Sequence, residues 1–237
     1  NNITMKKISI GVPCFNEEEN VALTYESIKK TIKKIKNYDF ELIFIDNGSS
    51  DQTKKIIINI ARKDKKVKGV FLSRNFGPES SGFAGLNLAM GDAYIGISCD
   101  LQDPPEFIPQ FISKWEEGNN IVMGIYERHD EGFFMKTVRE NFYKIFNKIS
   151  STQIPSNAVG FGLFDRKVVD GLKSFPEKYR FTRGLLAWLG YKKAFIKYNR
   201  KKRLRGKSSY NFLGYIKDPE RGIFVISYLI FDLMVYV

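Results

Sequence analysis

The sequence has few of the residues from which metal centres and disulfide frameworks are built. It contains one histidine, His129, and two cysteines, Cys14 and Cys99, among 237 residues. A single histidine excludes a histidine-based metal centre, and two cysteines exclude a disulfide framework. Because both cysteines fall at predicted strand ends, we interpret them as small buried apolar residues of a protein in a reducing, cytosol-facing compartment.

The two ends of the sequence lack a signal peptide and a full membrane span. Residues 1–7 contain no apolar stretch of the kind a signal peptide requires, and the first residue is Asn, so we expect the natural start upstream. Residues 222–237 are apolar except for Asp232, but this run is shorter than the ~20 residues that cross a bilayer. We expect the start of a truncated membrane-associated segment there; a buried or interfacial helix is the alternative.

The composition is that of a folded, strongly basic protein. Apolar residues make up 43% of the chain and aromatic residues 14%, which excludes a wholly disordered protein. The 38 Lys and Arg outnumber the 26 Asp and Glu, so the net charge is +12. The expected partners are therefore anionic: phosphates, nucleic acid or a lipid surface.

The first half of the chain alternates between strand and helix patterns. The β-rich runs fall at residues 7–12, 42–45, 67–72, 93–98 and 120–125. The runs with helical spacing fall at residues 18–35, 51–62, 80–90 and 105–117. This alternation predicts an α/β fold with a doubly wound, mostly parallel sheet, in which ligands bind beyond the carboxyl ends of the strands.

Polar, acidic loops follow three of the predicted strands. They begin with P-C-F-N-E-E at Pro13, D-N-G-S-S-D-Q-T at Asp46 and C-D-L-Q-D-P-P at Cys99. Asp46 directly follows a buried strand, where a carboxylate can accept hydrogen bonds from a ribose or a base. For Asp51, a helix N-cap and a functional role remain equal alternatives.

The third loop has the oxygen-rich character of a site for a hard divalent cation. Asp100 and Asp103 flank Gln102 in a tight loop, because Pro104 and Pro105 prevent a helix from starting earlier. Such oxygen ligands suit Mg²⁺ or Mn²⁺, with water and a substrate phosphate completing the coordination. As an isolated pattern, acidic residues before two prolines are more often loop and cap residues.

The ordered set of motifs resembles the inverting family 2 glycosyltransferases of the GT-A fold. Within that family it is similar to the polyprenyl-phosphate branch, the relatives of dolichol-phosphate mannosyltransferase. The motifs are V-P-C-F-N-E-E-E-N at residues 12–20, D-N-G-S-S-D-Q-T at 46–53, L-S-R-N-F-G at 72–77, D-L-Q-D-P-P-E at 100–106, F-D-R-K-V-V-D at 164–170 and R-F-T-R-G-L-L-A-W-L-G-Y at 180–191.

The resemblance implies a role for each matching residue. For the nucleotide-sugar donor it implies the residues Pro13, Asn16, Glu17, Asp46, Asp51, Asp100, Arg203 and Ser208. It implies Asp100 and Gln102 as metal ligands, with Asp103 supporting their loop. A basic loop at residues 203–210 would close over the diphosphate, and the catalytic set would be Asp100, Asp103, Arg203 and Lys207.

Three departures from the family pattern bear on this chemistry. Ser98 stands where the family's Asp-x-Asp motif has its first acid. The stretch V-G-F-G-L at residues 159–163 stands where many relatives read G-D-F-R-L, so a candidate base and an arginine are missing. In the closing loop the Lys expected after Ser208 is absent, and Lys207 precedes it instead.

The missing base favours an acceptor that needs none. An alcohol must lose a proton as it attacks, whereas a phosphate monoester, with a second pKa of about 6, is largely ionised at neutral pH. We therefore expect an inverting, metal-dependent hexosyltransferase that moves a sugar from a nucleotide diphosphate, UDP being favoured, to a polyprenyl phosphate at the cytosolic membrane face. The alternatives are a hydroxyl acceptor on a cell-surface glycan, or a catalytically weakened nucleotide-sugar-binding membrane adaptor.

The acceptor side of the chain carries a basic, aromatic amphipathic pattern at residues 133–149. A helix packed on the sheet and a helix lying on an anionic membrane surface both fit this pattern. We divide the chain into a nucleotide-sugar-binding core at 1–130, an acceptor-side part at 131–221 and a membrane-associated segment at 222–237. No nucleic-acid-binding signature accompanies the basic residues 200–207, and analogy to the family implies a homo-oligomer.

Overall fold

The computed structural model describes residues 5–126, 158–176 and 182–200, together with Thr137 and Asn141. The strands are β1 (Lys6–Cys14), β2 (Tyr38–Asp46), β3 (Val67–Phe71), β4 (Ala93–Gly96), β5 (Ile121–Tyr126), β6 (Ala158–Asp165) and β7 (Lys193–Tyr198). The α-helices are α1 (Val21–Ile32), α2 (Thr53–Lys63), α3 (Pro78–Leu88), α4 (Ile108–Glu116), α5 (Arg166–Ser174) and α6 (Thr182–Trp188). A 3₁₀ turn at Pro105–Phe107 leads into α4.

The described strands form one seven-stranded sheet in the order β3-β2-β1-β4-β6-β5-β7. Strands β1 to β4 pair in parallel, and β7 pairs in parallel with β5. Strand β6 runs antiparallel to both of its neighbours, β4 and β5. The carboxyl ends of all the other strands therefore meet at one edge of the sheet, where the amino end of β6 also lies.

Helices cover both faces of the sheet, because successive residues of a strand point to opposite faces and both sets are apolar. Ile8, Ile10 and Val12 of β1 point to the face covered by α1, α2 and α4. Ile43 and Ile45 of β2 point to the other face, which α3, α5 and α6 cover. The helices contribute fully or nearly fully buried side chains, among them Ile28, Ile57, Phe111, Phe83, Leu86, Val168 and Leu185.

The predicted α/β sheet is confirmed as mostly parallel, with one antiparallel strand that the sequence pattern did not predict. Each of the nine strand and helix patterns corresponds to an observed element, with ends that differ by a few residues. After β5 the sequence interpretation named only the amphipathic helix at 133–149 and the terminal segment at 222–237, so β6, α5, α6 and β7 are additions. The direction of a strand depends on the connection that precedes it, and this connection cannot be inferred from the residues of β6 themselves.

The membrane-related predictions fall largely outside the described residues. Thr137 and Asn141, within the predicted amphipathic helix, are helical and exposed, and the terminal segment 222–237 is not described. Of the helices that the structure does describe, none has the length and apolar character to cross a bilayer. The three-part division of the chain stays a prediction.

Two glycines of β6 have opposite steric surroundings. A Cβ built on Gly162 would lie 2.3 Å from the carbonyl oxygen of Val122 in β5, whereas a Cβ on Gly160 would meet nothing within 4 Å. Gly162→Ala is therefore expected to lower the free energy of unfolding by about 1–3 kcal/mol, as overpacking does. Gly160→Ala, the matched control, is expected to change it by less than about 0.5 kcal/mol. Denaturant titration of both variants checks this, and equal effects would contradict the register of β6.

Candidate functional site

The loops that follow β1 and β2 are tied together by hydrogen bonds. The amide of Asn16 donates to Oγ of Ser49 (2.9 Å), and Oδ1 of Asn16 accepts from the amide of Ser50 (2.9 Å). The amide of Glu17 donates to Oγ1 of Thr53 (2.8 Å). Asn16 adopts a left-handed conformation with φ of 54°, which asparagine tolerates better than most residues. The two loops thus form one polar wall at the carboxyl edge of the sheet.

Asp46 and Asn47, at the end of β2, are buried polar residues beside this wall. Oδ1 of Asp46 accepts from the amide of Ser49 (3.0 Å), and only 2% of Asp46 is exposed. The side chain of Asn47 donates to Oδ1 of Asn75 (3.0 Å) and accepts from the amide of Phe76 (3.0 Å). Asn47 therefore fixes the loop after β3 against the end of β2, a role that the sequence did not predict.

Asp51 ties the start of α2 to the loop after β1, whereas the N-cap position of α2 is Gln52. Its Oδ1 accepts from the amide of Thr53 (2.9 Å) at the start of α2, and its Oδ2 accepts from the amide of Glu18 (3.1 Å). Burial raises the pKa of Asp51, but the hydrogen bonds from Thr53 and Glu18 outweigh burial, so the pKa lies below its ordinary value. Both carboxylate oxygens thus have partners within the wall, so Asp51 has a structural role next to the N-cap.

The loop after β4 is built around a buried carboxylate. Asp103 is 2% exposed; its Oδ2 accepts from Oγ of Ser98 (2.5 Å) and its Oδ1 from the hydroxyl of Tyr198 (2.6 Å). Asp100, which is partly exposed, accepts from the amide of Gln102 (3.1 Å) across Leu101, whose φ is +57°. Asp103 holds the loop from inside, and Asp100 lies nearer its surface.

Tyr198 and Arg200, at and just after the end of β7, lie next to Asp103 in the loop after β4. Nε of Arg200 lies 3.6 Å from Oδ1 of Asp103, and its guanidinium lies 5.0 Å from the centre of the Tyr126 ring. Burial and the neighbouring Asp103 raise the pKa of Tyr198, so its hydroxyl remains a hydrogen-bond donor. Burial alone lowers the pKa of Arg200, but the charge of Asp103 and other neighbours, Asp100 among them, outweighs burial and raises it.

Two contacts hold the loop after β4 next to the loop after β1. Oγ1 of Thr24 in α1 donates to the carbonyl oxygen of Cys99 (2.7 Å). Cys14, at the end of β1, and Cys99, in the loop after β4, are both buried, and burial together with the hydrogen bond to the Cys99 thiol raises the pKa of Cys14. The predicted interpretation of both cysteines as buried residues agrees with their exposures of 2% and 3%.

The site suits a divalent cation only if a ligand supplies part of the coordination. Within the described part of the chain, no three His, Cys, Asp or Glu side chains come together as a metal-binding group. Asp103 already accepts two short hydrogen bonds, which leaves Asp100 as the carboxylate near the loop surface. Mg²⁺ commonly binds one or two protein carboxylates together with water and substrate phosphates. The residues present therefore fit an ion shared with a phosphate ligand.

The structure brings most of the predicted site residues to one edge of the sheet. Pro13, Asn16, Glu17, Asp46 and Asp51 lie at the ends of β1 and β2. Asp100, Gln102 and Asp103 lie in the loop after the neighbouring strand, β4. Arg203, Lys207 and Ser208 lie outside the described residues.

Sequence comparison decides the family of the chain. Residues 9–172 match the sequence profile described as "Glycosyl transferase family 2". The chain belongs to glycosyl transferase family 2. As a glycosyltransferase of this family, it is 41% identical over 206 residues to the "Prophage bactoprenol glucosyl transferase homolog" of Escherichia coli and equally identical to the "Bactoprenol glucosyl transferase" of Shigella phage SfV. Each match covers 86% of the chain and 67% of the relative, so the chain spans about two thirds of their length.

The fold of this glycosyltransferase is shared by solved structures with low sequence identity. Glucosyl-3-phosphoglycerate synthase from Mycobacterium tuberculosis, solved with Mn²⁺, UDP-glucose and phosphoglyceric acid, superposes with a TM-score of 0.59 at 20% identity. The match covers 86% of this chain and 73% of the synthase. The predicted GT-A-type sheet and the predicted relationship to the polyprenyl-phosphate branch of family 2 are thus both confirmed.

Two of this glycosyltransferase's departures from the family pattern are neighbours in space. Gly96 of β4 lies opposite Gly162 of β6, the last pair of this antiparallel ladder, and Ser98 follows Gly96 by two residues. A Cβ built on Gly96 would lie 2.6 Å from the carbonyl oxygen of Gly160, so the two strands approach closely. The chain therefore lacks two carboxylates at one place, beside the loop that carries Asp100.

Proposed function

We propose that this protein transfers glucose from UDP-glucose to bactoprenyl phosphate, with inversion at the anomeric carbon. The observation that carries the proposal is the 41% identity to bactoprenol glucosyl transferases over 86% of the chain. The names of these relatives give the sugar and the lipid. UDP as the nucleotide follows from the family resemblance and is the part that most needs a direct test.

The donor side of the proposal rests on the wall formed by the loops after β1 and β2. Asp46 is buried at the end of β2, where its carboxylate would accept a hydrogen bond from a ribose or a base. Asn16 and Glu17 lie in the loop that Ser49, Ser50 and Thr53 hold in place. This wall would orient the nucleoside before the sugar reaches the acceptor.

A divalent cation, Mg²⁺ or Mn²⁺, would be held by Asp100, with Gln102 as the second predicted ligand. When bound, it would neutralise charge on the donor diphosphate and on the departing UDP. Asp103 does not take this role in the proposal, because its two oxygens are engaged by Ser98 and Tyr198. Its part is to support the loop that presents Asp100.

The proposed acceptor follows from the absence of a catalytic base at Gly160. This residue is exposed, its carbonyl oxygen lies beside Gly96 at the carboxyl end of β4, and it carries no base. A phosphate monoester needs none, because at neutral pH its oxygen is already ionised. That oxygen would form the new bond to the anomeric carbon while the bond to UDP breaks and UDP leaves with the electron pair. No covalent enzyme intermediate is needed.

The reaction would take place at the cytosolic face of a membrane, since bactoprenol is a membrane lipid and nucleotide sugars are cytosolic. The net charge of +12 favours an anionic lipid surface over a neutral one. The predicted amphipathic helix at 133–149 and the apolar segment at 222–237 are the candidates for contact with that surface.

The donor is tested by thermal stabilisation, because a ligand that binds only the folded state raises its stability. The purified chain would be melted with UDP, GDP and their glucose and mannose conjugates, each with Mn²⁺, Mg²⁺ or a chelator. We expect a metal-dependent shift with UDP and UDP-glucose. A shift with GDP alone would overturn the choice of nucleotide.

The acceptor is tested with two lipids that differ only in the phosphate. Radiolabelled UDP-glucose would be offered with bactoprenyl phosphate or with bactoprenol in the same detergent. We expect label in the phosphorylated lipid alone. Transfer to bactoprenol would favour the alternative of a hydroxyl acceptor, and nucleotide binding with no transfer to either lipid would favour a catalytically weakened binding protein.

A further inference from the structure

The buried carboxylate of Asp103 joins two segments that are distant in sequence, the loop after β4 and the end of β7. It receives hydrogen bonds from Ser98, at the end of β4, and from Tyr198, at the end of β7, 95 residues away. Arg200 adds its positive charge at 3.6 Å from the same carboxylate. A buried carboxylate is stable only with such partners, because burial of an unpaired charge is costly.

The position of Asp100 depends on this cluster. Asp100 and Asp103 belong to one short loop, and Leu101 between them has a left-handed conformation that costs about 1–2 kcal/mol for an L-residue. A strained loop keeps its shape only where its surroundings hold it. At the carboxyl end of the loop, the hydrogen bonds from Ser98 and Tyr198 to Asp103 supply that hold.

Arg200 acts on the loop by charge rather than by a hydrogen bond. Its Nε is buried and has no hydrogen-bond partner among the described residues, since 3.6 Å to Asp103 is too long for a good one. Its terminal nitrogen Nη1 donates to the hydroxyl of Tyr126 at 3.3 Å, and the guanidinium faces the Tyr126 ring. Tyr126 thus orients Arg200 toward Asp103 and the loop that carries Asp100.

We propose that Tyr198 and Arg200 are positioning residues of the transferase: through Asp103 they set the loop from which Asp100 binds the metal and the donor diphosphate. The inference rests on the proposed function, since it assumes a nucleotide diphosphate at this loop. It assigns a role to Tyr198, the last residue of β7, and to Arg200, two residues further along the chain. The sequence motifs included neither residue. Partners that orient a metal ligand typically contribute about 10–100-fold to metal affinity or activity.

The test compares two tyrosine-to-phenylalanine variants. Tyr198→Phe removes only the hydroxyl and keeps the ring, which packs against Phe107, Tyr126 and Phe161. Tyr38→Phe, the control, removes a hydroxyl bond of the same length, 2.6 Å, to Glu116 at the opposite edge of the sheet. For each protein, the Mn²⁺ concentration that gives half of the maximal thermal shift would be measured at saturating UDP, together with the KM for UDP-glucose and kcat.

We expect Tyr198→Phe to raise the half-saturating Mn²⁺ concentration about 10-fold or more and Tyr38→Phe to leave it within about 2-fold of the parent protein. Arg200→Met should act like Tyr198→Phe, and Arg200→Lys, which keeps the charge, should recover part of the loss. If Tyr198→Phe does not fold, the half-saturating Mn²⁺ concentrations of the two Arg200 variants still test the inference.

Failure of the inference and failure of the proposed function give different results. If the parent protein shows a Mn²⁺-dependent UDP shift and Tyr198→Phe has the same Mn²⁺ midpoint despite a lower melting temperature, Tyr198 is merely structural and the inference is wrong. If the parent protein shows no UDP shift with any metal, the proposed donor itself is wrong, and the inference falls with it.

Discussion

Replacement of Asp100 by asparagine is expected to reduce glucosyl transfer by at least about 100-fold, which is about 3 kcal/mol of transition-state stabilisation. Asp100 is the partly exposed carboxylate of the loop after β4, and the other carboxylate, Asp103, is buried with its own partners. The loss of its charge would weaken the hold on the cation that neutralises the diphosphate. Initial rates with UDP-glucose and bactoprenyl phosphate, at several Mn²⁺ concentrations, measure the effect.

The fold should survive this change, because Asn keeps an oxygen that can accept from the amide of Gln102. Asp39→Asn serves as the control: Asp39 is a partly exposed residue at the opposite end of β2, where it pairs with Lys66. Its transfer rate should equal that of the parent protein. Near-normal transfer by Asp100→Asn would show that Asp100 does not hold the cation, and it would contradict the proposed metal site.

Replacement of Glu41 by glutamine is expected to lower the free energy of unfolding by about 3 kcal/mol. Glu41 is 2% exposed in β2, where it accepts from Oγ of Ser9 (2.6 Å), Nζ of Lys68 (2.7 Å) and the amide of Met90 (3.0 Å). Burial alone raises its pKa, but these hydrogen bonds and the charge of Lys68 outweigh burial and lower the pKa from 4.5 to about 2. Glutamine keeps the shape but loses the charge that Lys68 and Lys7 neutralise.

The same residue predicts how stability depends on pH. Because the pKa of Glu41 is lower in the folded than in the unfolded protein, its contribution is complete above about pH 4.5 and is lost as the pH falls toward 2. Denaturant titrations between pH 7 and pH 3 should show a steeper loss for the parent protein than for Glu41→Gln. Asp39→Asn, which removes an exposed pair, should cost less than about 1 kcal/mol. Parallel pH profiles for the parent protein and Glu41→Gln would contradict this assignment.

The sequence predicted the elements that local patterns specify. Apolar runs identified β1 to β5, and helical spacing identified α1 to α4, because burial of one face imposes its period on the residues of that element. Asp46 was found because it directly follows a buried strand in a predominantly parallel sheet, and Asp100 because it lies in the polar loop after the fourth predicted strand. The ends of the strands were less well predicted. The sequence pattern placed the start of β2 at residue 42, whereas the strand begins at Tyr38 and therefore includes the buried Glu41.

The cluster around Asp103 could not be predicted in this way. A tyrosine and an arginine near the end of a strand are ordinary surface residues in sequence, and the one local sign is that Ile196 and Tyr198 are buried alternately with exposed neighbours. Asp103 is recognised as an acidic loop residue, but its burial depends on Tyr198, 95 residues away. A similar limit applied to Gly160, whose carbonyl oxygen lies beside Gly96 only because β6 pairs with β4.

By itself, the sequence determined the order of strands and helices through β5, the polar loops at the carboxyl ends of β1, β2 and β4, and membership in a glycosyltransferase family. These properties lie in short segments, whose patterns and motifs are set by the residues next to one another. The tertiary structure alone decided that β6 enters the sheet antiparallel between β4 and β5, and that β7 delivers Tyr198 and Arg200 to Asp103. It also decided which carboxylate is buried and which remains near the surface, because burial is a property of packing between distant segments and not of any one of them.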